Sequence, residues 1–94
     1  MYTVQPNNRE HWVGEGYQTS GLFVKLTQSL LTCASSATNA NALNPGSIDG
    51  ILGSQTKSAI RSYQSYYSLS VDGIVGSGTW TSFYNNGNTG LIGI

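Results

Sequence analysis

An all-α fold is predicted for this chain: a compact three-helix bundle with two pseudo-repeated loop–helix units and irregular termini. Three observations predict it. Apolar residues recur at helical spacing in three segments, and no segment reads clearly as a strand. One phrase is written twice: Ile48 to Thr56, "IDGILGSQT", and Val71 to Thr79, "VDGIVGSGT", lie 23 positions apart and share six of nine residues. The chain has 94 residues, enough for one small domain with a modest core.

Residues 1–21 lack periodicity and carry Pro6, Gly14, Gly16 and Gly21. They read as an irregular arm that Trp12 and Tyr17 pin to the domain, which spans residues 22–84. The spacing predicts a first helix near Leu22 to Ala34, with Phe23, Leu26, Leu30 and Cys33 on its apolar face, Leu22 and Leu31 beside them, and Ser20 as N-cap. A polar loop follows to Ser47, with a turn at Pro45-Gly46 and one helical turn at "NANAL". A second helix is expected near Ser54 to Tyr67, with Ala59, Ile60, Tyr63 and Tyr67 inward and Tyr66 exposed. A short third helix, about Gly78 to Tyr84, turns Trp80 and Phe83 inward. The tail, residues 85–94, has no helical pattern, although Leu91, Ile92 and Ile94 are placed to dock on the body.

The repeated phrase has a physical reading. In Asp49-Gly50 and Asp72-Gly73 the glycine supplies positive φ and the aspartate accepts nearby backbone N–H groups, so each step is a tight turn. Ile51 and Ile74 are expected to plug into the core. Gly53 and Gly76 then bend the chain into a helix whose first turn holds Ser54 or Ser77, a capping hydroxyl, and Thr56 or Thr79, within reach of the aspartate. The functional alternative makes Asp49 and Asp72 a general acid–base pair or calcium ligands. A calcium loop needs more acidic ligands than a chain with four acidic residues offers.

Composition narrows the function classes. Net charge is zero and 9% of residues are charged, which disfavours nucleic acid, whose phosphates demand a basic surface. No basic amphipathic helix or long apolar run addresses a membrane. The surface must be built from Ser, Thr, Asn, Gln and Gly, as in chains that work outside cells or on virions. The start, "MYTVQPNNRE", has no signal-peptide pattern. Cys33 is the only cysteine, so no internal disulfide forms. It reads as a small core residue rather than a catalytic thiol. His11 and Glu15 stand four apart, a zinc spacing on a helix, but Gly14 and Gly16 disfavour a helix there and no further ligand set accompanies them. No metal, cofactor or catalytic residue is expected.

"VKLTQSLL", "IDGILGSQTKSAIRSYQ" and "LSVDGIVGSGTW" together resemble the peptidoglycan-binding domain family of bacterial and phage cell-wall enzymes. Val24, Gln28 and Leu31 match its first helix, and Asp49, Gly50, Gly53 and Thr56 its first loop. Ala59, Ile60, Tyr63 and Gln64 match its second helix. Leu69, Val71, Asp72, Gly73, Gly76, Thr79 and Trp80 match its last unit. Thr27 departs from the family's leucine, the loop from Ala34 to Ser47 is longer than usual, and Ser replaces a common Pro in both loops.

The resemblance implies a three-helix bundle and a non-catalytic peptidoglycan-binding module, with the glycan or the stem peptide as ligand. Its partner would be a separate cell-wall hydrolase or a virion protein, and its place the extracellular wall or a phage particle. Gln28, Gln64, Tyr66, Trp80 and Tyr84 are the candidate contacts, since aromatic rings stack on sugars and amides bond to acetamido groups. Trp80 also fits the core. The alternative is a protein-interaction or virion structural module that reuses the fold without wall binding.

Overall fold

The computed structural model describes residues 4–85. Its frame is three helices: α1 (Leu22–Thr38), α2 (Ser54–Tyr66) and α3 (Ser77–Asn85), with single 3-10 turns at Arg9–His11 and Asn41–Leu43. Among the described residues extended pairing is limited to isolated bridges, Val13 with Gln18, Val13 with Val75, and Ser20 with Ile51. The all-α bundle expected from periodicity is what forms. No described helix is long and apolar enough to cross a membrane. The docking expected of Leu91, Ile92 and Ile94 lies outside the described residues.

Helix α1 runs past Ala34 and stops at Asn39, whose φ of 56° is the left-handed conformation that asparagine tolerates after a helix. It buries Val24, Leu26, Thr27, Gln28, Leu30, Leu31, Ala34 and Ser35. The buried face is thus rotated from the expected stripe: Leu22 is exposed and Cys33 only partly buried. The stripe misleads because three polar residues, Thr27, Gln28 and Ser35, belong to the core face. Buried Thr27 is accommodated because its hydroxyl donates to the Phe23 carbonyl at 2.9 Å, which answers the desolvation cost of a buried hydroxyl. Ser20 does not cap α1. Gly21 holds that position at φ 99° with no side-chain bond. Its N–H donates to the Gly50 carbonyl at 2.8 Å, tying the helix start to the first Asp-Gly loop. The long loop is partly structured: the Asn41–Leu43 turn drops Leu43 into the core.

Trp80, Tyr63, Phe83, Leu30, Leu31, Leu43, Ile60, Val13 and Val24 are all fully buried. The rings of Tyr63 and Phe83 meet at 4.5 Å and those of Trp80 and Phe83 at 5.6 Å, both tilted as aromatic quadrupoles prefer. On α2 the predicted face is the buried one, with Tyr67 packed against its edge and Tyr66 exposed.

The N-terminal arm folds onto the body. Val4 and Val13 are core residues. Val13 exchanges both backbone bonds with Val75, at 3.2 and 2.7 Å, and the Leu52 N–H donates to the Thr19 carbonyl at 2.9 Å. Buried Trp80 Nε1 donates to the His11 carbonyl at 3.1 Å, and His11 stacks on Phe23 at 4.4 Å. These contacts correct the loop isoleucines. Leu52 and Val75, one residue on, are the side chains that pack inward, whereas Ile51 is exposed and Ile74 half-buried against Gly14 of the arm. Successive side chains in extended backbone face opposite ways, so pairing with the arm sets which one enters.

Candidate functional site: two clefts on the Asp-Gly loops

Gln28 projects from α1 into the first Asp-Gly loop. Its Nε2 donates to Asp49 Oδ1 (3.0 Å), the Ile51 carbonyl (3.1 Å) and Thr56 Oγ1 (3.1 Å). Its Oε1 accepts the Gly50 N–H at 2.8 Å. Asp49 Oδ1 also accepts the Ile51 N–H at 3.0 Å. Gln64 does the same from α2. Its Nε2 donates to Asp72 Oδ1 (2.9 Å), the Ile74 carbonyl (2.8 Å) and Thr79 Oγ1 (3.2 Å). The Gly73 N–H donates to its Oε1 at 3.0 Å, and the Ile74 N–H to Asp72 Oδ1 at 2.9 Å. Backbone N–H groups face both Oε1 atoms, which fixes the amide orientations.

Three of the expected contacts lie inside the body. Gln28 and Gln64 are fully buried, and their amides are consumed by the loops, so neither is presented to a ligand. Trp80 is likewise in the core. Tyr66 and Tyr84 are exposed. Gly50 and Gly73 have φ of 75° and 76°, the turn the Asp-Gly steps predicted. Thr56 and Thr79 reach their aspartates through the glutamine amide rather than directly. Ser54 is not a cap: Gly53 holds that position, with no side-chain bond.

Outside each locked loop lies an open cleft. The first, about 250 Å³, is lined by Pro45, Ser47, Asp49, Ile51, Gly53, Ser54, Gln55 and Thr56. The second, about 460 Å³, is lined between Ser68 and Thr79 by the matching positions, with Leu69 and Trp12 added. They differ at Pro45 against Ser68, Gly46 against Leu69 and Gln55 against Gly78, and in the arm residue Trp12; two of these differences bear on the openness of the clefts. Gln55 of the first corresponds to Gly78 of the second. The Gln55 amide lies against the facing turn, where a Cβ on Gly46 would stand 2.8 Å from its Oε1. Nothing comes within 4 Å of a Cβ built on Gly78. The other difference is the arm. Trp12 precedes Val13, which pairs with Val75, and its ring lies against Gly76, where a Cβ would be 3.5 Å away. Gln18, which precedes Thr19 at the equivalent bond to Leu52, puts no ring there.

The electrostatics are self-neutralising. A small cavity of about 60 Å³ beside the second cleft gathers Glu15, Lys57, Arg61 and Asp72, two of each sign. Lys57 Nζ bonds Glu15 Oε1 at 2.6 Å, and this bond, with the lysine charge, holds the Glu15 carboxyl below the usual range. The Gln28 bond first, then the Ile51 N–H, holds the Asp49 carboxyl low as well. The zinc spacing of His11 and Glu15 is spent differently: His11 Nδ1 accepts the Gln5 N–H at 3.0 Å while Glu15 pairs with Lys57.

The peptidoglycan binding domain model matches residues 20–82, about two thirds of the chain. The chain belongs to the peptidoglycan-binding domain family. No curated protein and no solved structure matches the chain significantly. The family segment contains both glutamine-locked loops and all of the first cleft, whereas Trp12 of the second cleft falls outside it.

The glutamine locks carried a sequence signal beyond the nine-residue phrase. "VKLTQS" from Val24 and "IRSYQS" from Ile60 align with apolar, basic, glutamine and serine positions in common. The glutamine stands 21 residues before Asp49 in the first unit and 8 before Asp72 in the second, so a fixed-offset comparison passes over it. Nothing local marks Trp12, because the path of the arm places it.

Proposed function

We propose that this chain is a non-catalytic module that binds peptidoglycan and holds a lytic enzyme or a virion component at the bacterial wall. Family membership across both loops carries the reading. The geometry supports it: clefts walled by hydroxyls, backbone and one carboxylate suit a hydrogen-bonding glycan or peptide better than a phosphate chain. Binding to a polymer that repeats the same ligand raises local concentration, so even a weak site retains its cargo at the wall. Tyr66 and Tyr84, exposed but outside both cleft linings, extend the candidate surface.

Co-sedimentation with purified, insoluble peptidoglycan tests this, with a domain of unrelated fold as control. The chain is expected in the pellet and the control in the supernatant. Failure to pellet with walls from several bacterial types at high micromolar protein would overturn the reading in favour of a protein-interaction module.

A further inference from the structure

The two loops are locked by matching hydrogen bonds, yet their clefts differ in size, and each difference traces to a named residue. The second cleft, at about 460 Å³, falls within the roughly 300–1,000 Å³ typical of small-molecule sites, and the first, at about 250 Å³, falls below it. The first is narrowed by the Gln55 side chain, which spans from the start of α2 to the turn at Gly46. The second is left open by Gly78 and given an indole wall by Trp12.

We propose that the second cleft is the single working ligand site, that it takes an N-acetyl sugar of the glycan rather than the stem peptide, and that Gln55 closes the equivalent first cleft. The inference rests on the wall-binding reading above. The lining names the ligand. Trp12 and Leu69 give apolar surface for the C–H face of a pyranose ring. Ser68, Ser70 and Ser77 give hydroxyls that both donate and accept. Asp72 is exposed, and its Oδ1 takes the bonds from Gln64 and Ile74, which leaves Oδ2 for a sugar hydroxyl or acetamido N–H. The one charge lining this cleft is that carboxylate. Lys57 and Arg61 in the adjoining cavity offset its charge, so it serves as a hydrogen-bond acceptor for sugar hydroxyls, and the apolar wall for a pyranose face is what favours the glycan over the stem peptide.

Gly78→Gln tests this by writing the first cleft's plug into the second. Gly78 is exposed, in α3, and has open space around its Cβ position, so the substitution fills the cleft without disturbing the core. Gly78→Ala controls for loss of the glycine. The probe is an N-acetylglucosamine trimer titrated into the full chain, read by tryptophan emission, with peptidoglycan pelleting in parallel. Trp80 is buried, so a saturable change reports Trp12. The parent and Gly78→Ala should respond alike, and Gly78→Gln should bind both trimer and wall about tenfold more weakly or worse with an unchanged Tm. Equal wall binding by parent and Gly78→Gln would overturn the inference and leave the wall-binding reading standing. So would a saturable response to a stem pentapeptide with none to the trimer. A parent that does not pellet with walls would overturn both.

Discussion

Gln28 and Gln64 stand 36 positions apart and hold their loops with the same set of contacts: an aspartate Oδ1, an isoleucine carbonyl, a threonine hydroxyl and a glycine N–H. Each amide is buried and ties a helix to the loop that launches the next helix. Removing a partner from a buried polar group costs about 1–3 kcal/mol. Gln64→Glu should cost at least that much at pH 7, because the new carboxylate faces Asp72 without a donor. Its buried pKa should be raised, and a protonated acid can donate to Asp72 again, so the variant should gain stability as pH falls from about 7 to 5. Thermal melts at both pH values check this. A variant that melts like the parent at both would deny the lock.

Gly50→Val and Gly73→Val should each lower stability by about 1–3 kcal/mol, because a β-branched residue is strained at positive φ. The two sites differ in the second contribution. A Cβ on Gly50 would lie 3.3 Å from the Gly21 carbonyl, which is fixed backbone, whereas at Gly73 the nearest atom is Arg61 Nε at 3.1 Å, on a side chain that can move. Denaturant midpoints should therefore fall further for Gly50→Val.

Much of this was legible in the chain and some was not, for separable reasons. The helices on "SAIRSYQSYY" and "GTWTSFY" were readable because apolar residues hold most of their core positions, with Gln64 and Thr79 as the buried polar exceptions. The α1 face was misread because Thr27 and Gln28 occupy core positions, and hydropathy cannot see that a buried amide is satisfied from 21 residues away. Ile51 was assigned to the core and Leu52 overlooked because strand-like parity depends on the bond between Leu52 and Thr19, a tertiary fact. For the site, the Asp-Gly loops are readable, whereas an amide that faces solvent and one that locks a loop look alike in sequence.

Acid should weaken the fold partly through Asp49. Its folded pKa lies below the unfolded value, so its contribution is present above the unfolded pKa and is lost as pH falls through the folded one. Asp49→Asn keeps an oxygen for the Ile51 N–H and removes the titration. Its Tm should change less than the parent's between about pH 5 and 2. Identical acid slopes would place the loss in other groups.

Purified peptidoglycan should release no soluble fragments when incubated with the chain. A general acid for glycosidic or amide cleavage needs a carboxyl raised toward neutral pH, and Asp49 and Glu15 are shifted the other way. Reducing-end and free-amine assays on the supernatant check this. Release that survives repurification and disappears in Asp49→Asn or Asp72→Asn would show that a loop aspartate is catalytic.

Wall binding should depend little on salt. The second cleft meets its ligand with hydroxyls, an indole ring and one carboxylate. The charges beside it cancel, with Glu15 and Asp72 against Lys57 and Arg61. Stacking and neutral hydrogen bonds are nearly unscreened, whereas a charge-driven adsorber loses its attraction as the Debye length contracts from about 10 Å at 0.1 M toward 3 Å at 1 M. The bound fraction in a pelleting assay should therefore change by less than about threefold over that range. Affinity should be modest, because a small open cleft leaves little surplus over the entropy lost on association. Binding that collapses at high salt would mean the exposed cations, not the Trp12 cleft, hold the wall.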